Sequence, residues 1–99
     1  MSDWWLYVIR CADGSLYTGI TTDVQRRFVQ HETGSGARYV RGRGPLALVA
    51  TCKTSGRSRA SQLELRFKSQ TKKQKEAWLL RDDGLRRFCD QCESETLVS

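Results

Sequence analysis

Two apolar runs, Leu6-Tyr7-Val8 and Leu16-Tyr17-Thr18-Gly19, flank Ala12-Asp13-Gly14, and Arg26-Arg27-Phe28-Val29-Gln30-His31 follows directly. This order predicts a tight β-hairpin feeding a helix. Loop length then decides which side chains can meet. A two-residue turn at Asp13-Gly14 would set Tyr17 opposite Arg10 and send Tyr7 and Tyr17 to opposite faces. A three-residue loop, Ala12-Asp13-Gly14 with Gly14 in the left-handed region, sets Tyr17 opposite Ile9 and puts both tyrosines on one face. As diagonal neighbours their Cβ atoms would then lie ~7–8 Å apart, close enough for the phenols to meet over one bound group.

Thr22-Asp23-Val24-Gln25 fits a capping box with Thr22 as the cap, and Gly34 follows where a helix should stop, so a helix is expected from about Asp23 to Glu32. Val24 and Phe28 would form its buried stripe. Arg27 and His31, four apart, share an adjoining face. Taken singly, Arg27 reads as a solvated charge and His31 as a boundary residue at the helix end.

The chain has 99 residues, the size of one small domain with a modest core. We expect a domain over residues 1–84, followed at 85–99 by a C-terminal turn and a flexible acidic tail. Lys and Arg number 17 against 11 Asp and Glu, for a net charge of +6, and this surplus favours a polyanion such as nucleic acid. No apolar run approaches the ~20 residues of a membrane span, and no signal-peptide stretch opens the chain, so a soluble, cytoplasmic protein is expected.

From Gly34 to Pro45 a glycine-rich, flexible segment carries Arg38, Tyr39, Arg41 and Arg43. Arginines interleaved with an aromatic suit phosphate contacts and stacking on an unpaired base. An ordinary charged surface loop is the plainer reading. Three arginines in six residues repel one another unless an anion relieves them, which favours the nucleic-acid reading.

Leu46 to Cys52 reads as a third strand. A second helix follows Ser58, with Ala60, Leu63 and Phe67 as its apolar stripe and Glu64 set within that stripe. A core-facing acid needs a cation, a metal or a hydrogen-bond donor. The competing reading makes Ser61-Gln62-Leu63-Glu64 a capping box and Glu64 a helix-start residue. Thr71-Lys72-Lys73-Gln74 starts a further helix that Gly84 would end. Of the four cysteines, Cys11 and Cys52 read as buried free thiols. Cys89-Asp90-Gln91-Cys92 has zinc-like spacing but lacks the second ligand pair a structural site requires, so reduced thiols are expected there too.

Tyr7, the Tyr17-x-Gly19 triplet, Arg27 ten residues after Tyr17, His31 four beyond, and Glu64 on a later helix together resemble the GIY-YIG nuclease family. The chain is most similar to its small stand-alone bacterial members. The loop from Gly36 to Pro45 is similar to that of structure-selective members. The first motif here reads Trp5-Leu6-Tyr7 in place of Gly-Ile-Tyr, the second Tyr17-Thr18-Gly19 in place of Tyr-Ile-Gly, and the chain contains no asparagine.

The resemblance implies an α+β fold, a small three-stranded antiparallel sheet flanked by helices. It also implies metal-dependent cleavage of phosphodiester bonds through one divalent ion. Carried over by position, Glu64 would hold Mg²⁺ or Mn²⁺, and Arg27 would grip the scissile phosphate. Tyr7 would orient or deprotonate the attacking water, directly or through a relay to His31, with Tyr17 and His31 in support. The expected substrate is DNA in branched, flapped or single-stranded form, read with low sequence specificity and with a role in repair or recombination; no small-molecule cofactor is expected. A nucleic-acid-binding module with little or no cleavage is the alternative, and an adaptor active only with a protein partner is a third reading.

Overall fold

The computed structural model describes residues 3–98, with side chains described through Cys92. Three strands, β1 (Trp4–Arg10), β2 (Leu16–Thr21) and β3 (Ala47–Thr54), form one antiparallel sheet in the order β2-β1-β3. Helix α1 (Val24–Glu32) follows the hairpin, and a 3₁₀ turn (Arg38–Val40) leads into β3. Helices α2 (Arg57–Lys68), α3 (Lys72–Leu79) and α4 (Gly84–Val98) complete the chain.

The hairpin closes through a three-residue loop. Cys11 N–H donates to Ser15 O and Gly14 N–H to Cys11 O, both at 2.9 Å. Gly14 has φ 86°, a region that disfavours any residue with a Cβ. Asp13 fixes the bend by accepting from the Ser15 N–H and hydroxyl. The resulting register pairs Ile9 with Tyr17 and Tyr7 with Gly19, so the two tyrosines share a face.

Alternation along β1 divides the molecule. Leu6 and Val8 face a core built with Cys52, Leu63 and Phe67 and with Leu85, Phe88, Cys89 and Cys92 of α4. Phe88 meets both Phe67 and Trp78 edge-to-face, at centroid distances of 5.1 and 5.6 Å. Tyr7 and Ile9 lie on the other face, also fully buried but outside that cluster.

Several sequence expectations are corrected. The cap of α1 is Asp23, whose side chain accepts from Arg26 N–H, while Thr21 Oγ1 accepts from Asp23 N–H. Val24 and Phe28 are only half-buried, and the one buried residue of α1 is His31. The arginine segment is less loose than its glycines suggest, because Val40 is buried and Ala12 N–H donates to Arg43 O at 2.7 Å. Helix α3 starts where expected, with Thr71 and Gln74 forming a capping box, but it stops at Leu79, and Gly84 begins α4 instead of ending α3.

The expected turn and flexible tail after residue 84 is a helix through Val98. Leu85, Phe88, Cys89 and Cys92 fall at i, i+3, i+4 and i+7, and this stripe closes the core from below. The four cysteines are buried thiols, as expected of small apolar side chains. Contact with Cys52 and burial push the Cys89 thiol well above the ordinary range.

The hairpin tip is held from two sides. On one, Arg10 makes a two-pronged ion pair with Glu76 at 2.6 and 2.7 Å, and Lys72 Nζ donates to Gly14 O at 2.8 Å. The Arg10 guanidinium holds the Glu76 carboxyl below its usual range. On the other, Arg43 pairs with Asp13 at 2.6 Å. Strand β2, free along its outer edge, is thereby fixed relative to α3 and to the arginine segment.

Candidate active site

Tyr7 lies on the central strand, yet its hydroxyl must reach the free edge of β2 to meet a substrate. Gly19, directly opposite, allows this: a Cβ at that position would stand 2.5 Å from the Tyr7 hydroxyl oxygen. The glycine of the Tyr17-x-Gly19 triplet is thus the floor over which the phenol passes. The family motif alone gives this glycine no physical role, although the pairing of a large residue with glycine across the hairpin was readable in the sequence.

His31 receives the phenol. Its Nε2 lies 2.8 Å from the Tyr7 oxygen, and its Nδ1 accepts from Ala37 N–H at 3.2 Å. Since a backbone N–H can only donate, Nδ1 carries no proton, and the neutral ring must hold its proton on Nε2 and donate it to Tyr7. A relay that delivers a Tyr7 proton to Nε2 therefore conflicts with this tautomer. Burial, and secondly the Arg27 charge, lower the imidazole pKa and keep the ring neutral. His31 is a fully buried hub, not a boundary residue.

Burial first, and then repulsion from Tyr17, raise the Tyr7 pKa to about 12, against a lowering by the adjacent Arg27. Gln30, one turn along α1, holds Arg27 through Nη1 to Oε1 at 3.0 Å; this pairing was legible in the i, i+3 spacing and passed over. Tyr17 completes the cluster, with its ring 6.3 Å from Tyr7 and 5.3 Å from His31.

The arginine segment covers Tyr17. Tyr39 stacks on it at 5.8 Å, and Arg43 stacks in turn on Tyr39 at 4.6 Å while paired with Asp13. Arg43 is therefore committed within the protein, whereas Arg38 and Arg41 are exposed.

Glu64 comes from α2, the helix whose Leu63 and Phe67 pack on the other face of the sheet. It is the eighth residue of that helix, whose N-cap is Gly56, so the helix-cap reading is excluded. Its side chain, 20% exposed, pairs at 3.3 Å with Lys68, whose ammonium also lies 5.9 Å from the Tyr17 ring centre. Lys68, four residues after Glu64, is a second group the sequence reading missed. Tyr7, Tyr17, Arg27 and His31 gather closely, while Glu64 is linked to them only through Lys68, which reaches the Tyr17 ring. The groove beside Arg27 contains none of the other four.

Among the described residues no group of three or more His, Cys, Asp or Glu side chains could enclose a metal ion. A single half-buried carboxylate nonetheless fits Mg²⁺, which keeps most of its water and is commonly held by one or two carboxylates together with substrate phosphates. No helix among the described residues is long and apolar enough to cross a membrane.

Comparison with known proteins identifies the family of the fold. Residues 3–77 match the GIY-YIG catalytic domain model. A UPF0213 protein of Citrobacter koseri is 44% identical over 99 residues, covering 100% of this chain and 99% of that protein. The UPF0213 protein YhbQ of Escherichia coli K12 is 43% identical over the same length, with the same coverage of both chains. The solution structure of protein EF2693 from E. faecalis shares 41% identity and a TM-score of 0.57, covering 80% of this chain and 84% of that one. That of the UPF0213 protein BH0048 from Bacillus halodurans shares 44% identity and a TM-score of 0.50, covering 76% and 80%. These matches show that the chain belongs to the GIY-YIG family, whose catalytic domain is that of nucleases using divalent metal ions on DNA.

Proposed function

We propose that this chain is a metal-dependent endonuclease that hydrolyses DNA phosphodiester bonds, with low sequence specificity and a preference for branched, flapped or single-stranded forms. The observation that carries this reading is the Tyr7–His31 hydrogen bond at 2.8 Å beside Arg27, on a polar cluster buried where a core would otherwise be apolar. Such a substrate class suits repair or recombination.

Tyr7, as the phenolate, orients the attacking water and takes up its proton to become the neutral phenol. His31 donates Nε2–H to the phenolate oxygen and so stabilises the anionic form that acts as base; Arg27 supplies positive charge to the same oxygen and to the scissile phosphate. Tyr17 packs against both aromatic rings and keeps the Tyr7 hydroxyl directed to the β2 edge. Glu64 holds one Mg²⁺ or Mn²⁺, which supplies Lewis-acid stabilisation of phosphate charge. Arg38 and Arg41 meet flanking phosphates, and Tyr39, held between Tyr17 and Arg43, presents its exposed edge to the strand.

Replacing Glu64 by Gln tests this reading. Cleavage of branched and single-stranded DNA in Mg²⁺ or Mn²⁺ should collapse while metal-free DNA binding and melting temperature persist. Cleavage by the purified variant at the wild-type rate would refute the ligand role. The Lys68 ammonium on Glu64 favours a second reading, a binding module with little cleavage, which predicts DNA binding without turnover in the wild type.

A further inference from the structure

A groove of ≈ 320 Å³ opens at the Thr21 end of β2, bounded by Trp4, Ile20, Thr21, Arg26, Arg27 and Gln30 among others. It shares Arg27 with the catalytic cluster, so whatever strand lies on the active site runs into it. Trp4 and Ile20 provide an apolar wall. The Arg57 guanidinium, from the first turn of α2, stacks over the Trp4 ring at 5.4 Å and pins the indole in place. Asp23 also lines the groove, but its carboxylate is engaged in capping α1. The first turn of α2 carries Arg57 and Arg59 with no acidic residue and no side-chain cap, so positive charge accumulates at the positive end of a helix dipole.

The opposite end of β2 carries Tyr17, with Tyr39 and Lys68 against it. Tyr17 and Thr21 are four residues apart, roughly 14 Å at the rise of an antiparallel strand, a span of a few nucleotides. We propose that Trp4, Arg26 and Arg57 form a second nucleic-acid subsite. An unpaired nucleotide of the bound strand lies with its base against Trp4 and Ile20 and its flanking phosphates against Arg26 and Arg57. The strand then follows the free edge of β2 from Tyr39 to Trp4, and the subsite fixes how far cleavage occurs from a junction or end. This inference rests on the nuclease reading and adds to it the direction of the strand.

The test is metal-free fluorescence anisotropy with labelled oligothymidylates of stepwise increasing length. Wild-type affinity should rise in a step once the strand spans both ends of β2. Arg57→Gln and Trp4→Leu should remove that step, a loss of roughly tenfold for the longest strand, while leaving the shortest strands bound as before. Arg57 is exposed, so its variant should fold even if Trp4→Leu does not. Lys73→Gln removes one exposed charge from α3, beside the opposite end of the hairpin, and should keep the step. Unchanged binding of the longest strand by Arg57→Gln, a uniform loss at every length, or an equal loss in Lys73→Gln would each overturn the subsite. Absence of wild-type binding at any length would also overturn the subsite, whereas the nuclease reading on which it rests would fall only if the wild type left branched and single-stranded DNA uncut in Mg²⁺ or Mn²⁺.

Discussion

The two faces of the sheet are built on opposite terms. One, carrying Leu6 and Val8, is closed by apolar side chains of α2 and α4; the other, carrying Tyr7, is closed by α1, whose single buried residue is a histidine. A fold this small has little apolar surface to spare. Concentrating aliphatic and aromatic packing on one face leaves the other free to bury a phenol and an imidazole that satisfy each other. Stability and chemistry should therefore separate under mutation, and the largest effects should fall on different faces for different measurements.

The strongest break of this contrast is on the α4 side. Phe88→Ala removes a ring packed between Phe67 and Trp78 and should lower stability by about 3–5 kcal/mol. Ending the chain at Asp83 removes the whole stripe and should prevent folding, as read by circular dichroism and denaturant melts. A Phe88→Ala cost below about 1 kcal/mol would mean that α4 is not part of the core.

On the other face, Tyr7→Phe should reduce cleavage by roughly 10²–10⁴, while removal of the hydrogen bond to His31 costs only about 1 kcal/mol of stability. With the Tyr7 pKa raised to about 12, the phenolate is scarce at neutral pH and increases about tenfold per pH unit. Wild-type log kcat/KM should accordingly rise with pH through the neutral range, and the residual activity of the Phe variant should lose that dependence. An equally steep profile in the variant would remove Tyr7 as the base.

The two faces were unequally legible in the sequence. Period-two alternation and the loop length Ala12-Asp13-Gly14 determine local geometry, so the shared face of Tyr7 and Tyr17 could be read from them. Leu63 and Phe67 likewise follow from helical spacing. The stripe Leu85-Phe88-Cys89-Cys92 has the same spacing, yet its cysteines invite reading as metal or redox candidates instead of as apolar side chains, which makes the helix look like a tail. At α1, Asp23 and Thr22 are both good caps, and the backbone entering from β2 decides between them. The burial of His31 and the pairing of Glu64 with a Lys68 that reaches Tyr17 arise from the docking of the arginine segment and α2, which no local pattern encodes.

That docking makes smaller predictions of its own. Replacing Arg38 and Arg41 together by Ala should weaken DNA binding and reduce the slope of log affinity against log salt by about 0.9 for each phosphate no longer neutralised on duplex DNA. Arg43→Ala should change the slope by less than half as much, because Arg43 is already paired with Asp13 and stacked on Tyr39. A change equal to half that of the double variant would show that the stack opens on DNA.

The smallest effect concerns the polar face itself. His31 is the only histidine, and folding lowers its pKa through burial and the Arg27 charge. Between that lowered value and the unfolded value of about 6.5, the unfolded chain binds more protons, so stability falls as pH falls through this window. The slope cannot exceed about 1.4 kcal/mol per pH unit for one proton. Protonation would also place an N–H on Nδ1 against the Ala37 N–H, breaking the contact that orients the ring. His31→Gln carries no titrating group and should flatten melting temperature against pH over the same window. If the variant kept the wild-type slope, the acid sensitivity would belong to the carboxylates, and the polar face would not set the protein's behaviour near neutral pH.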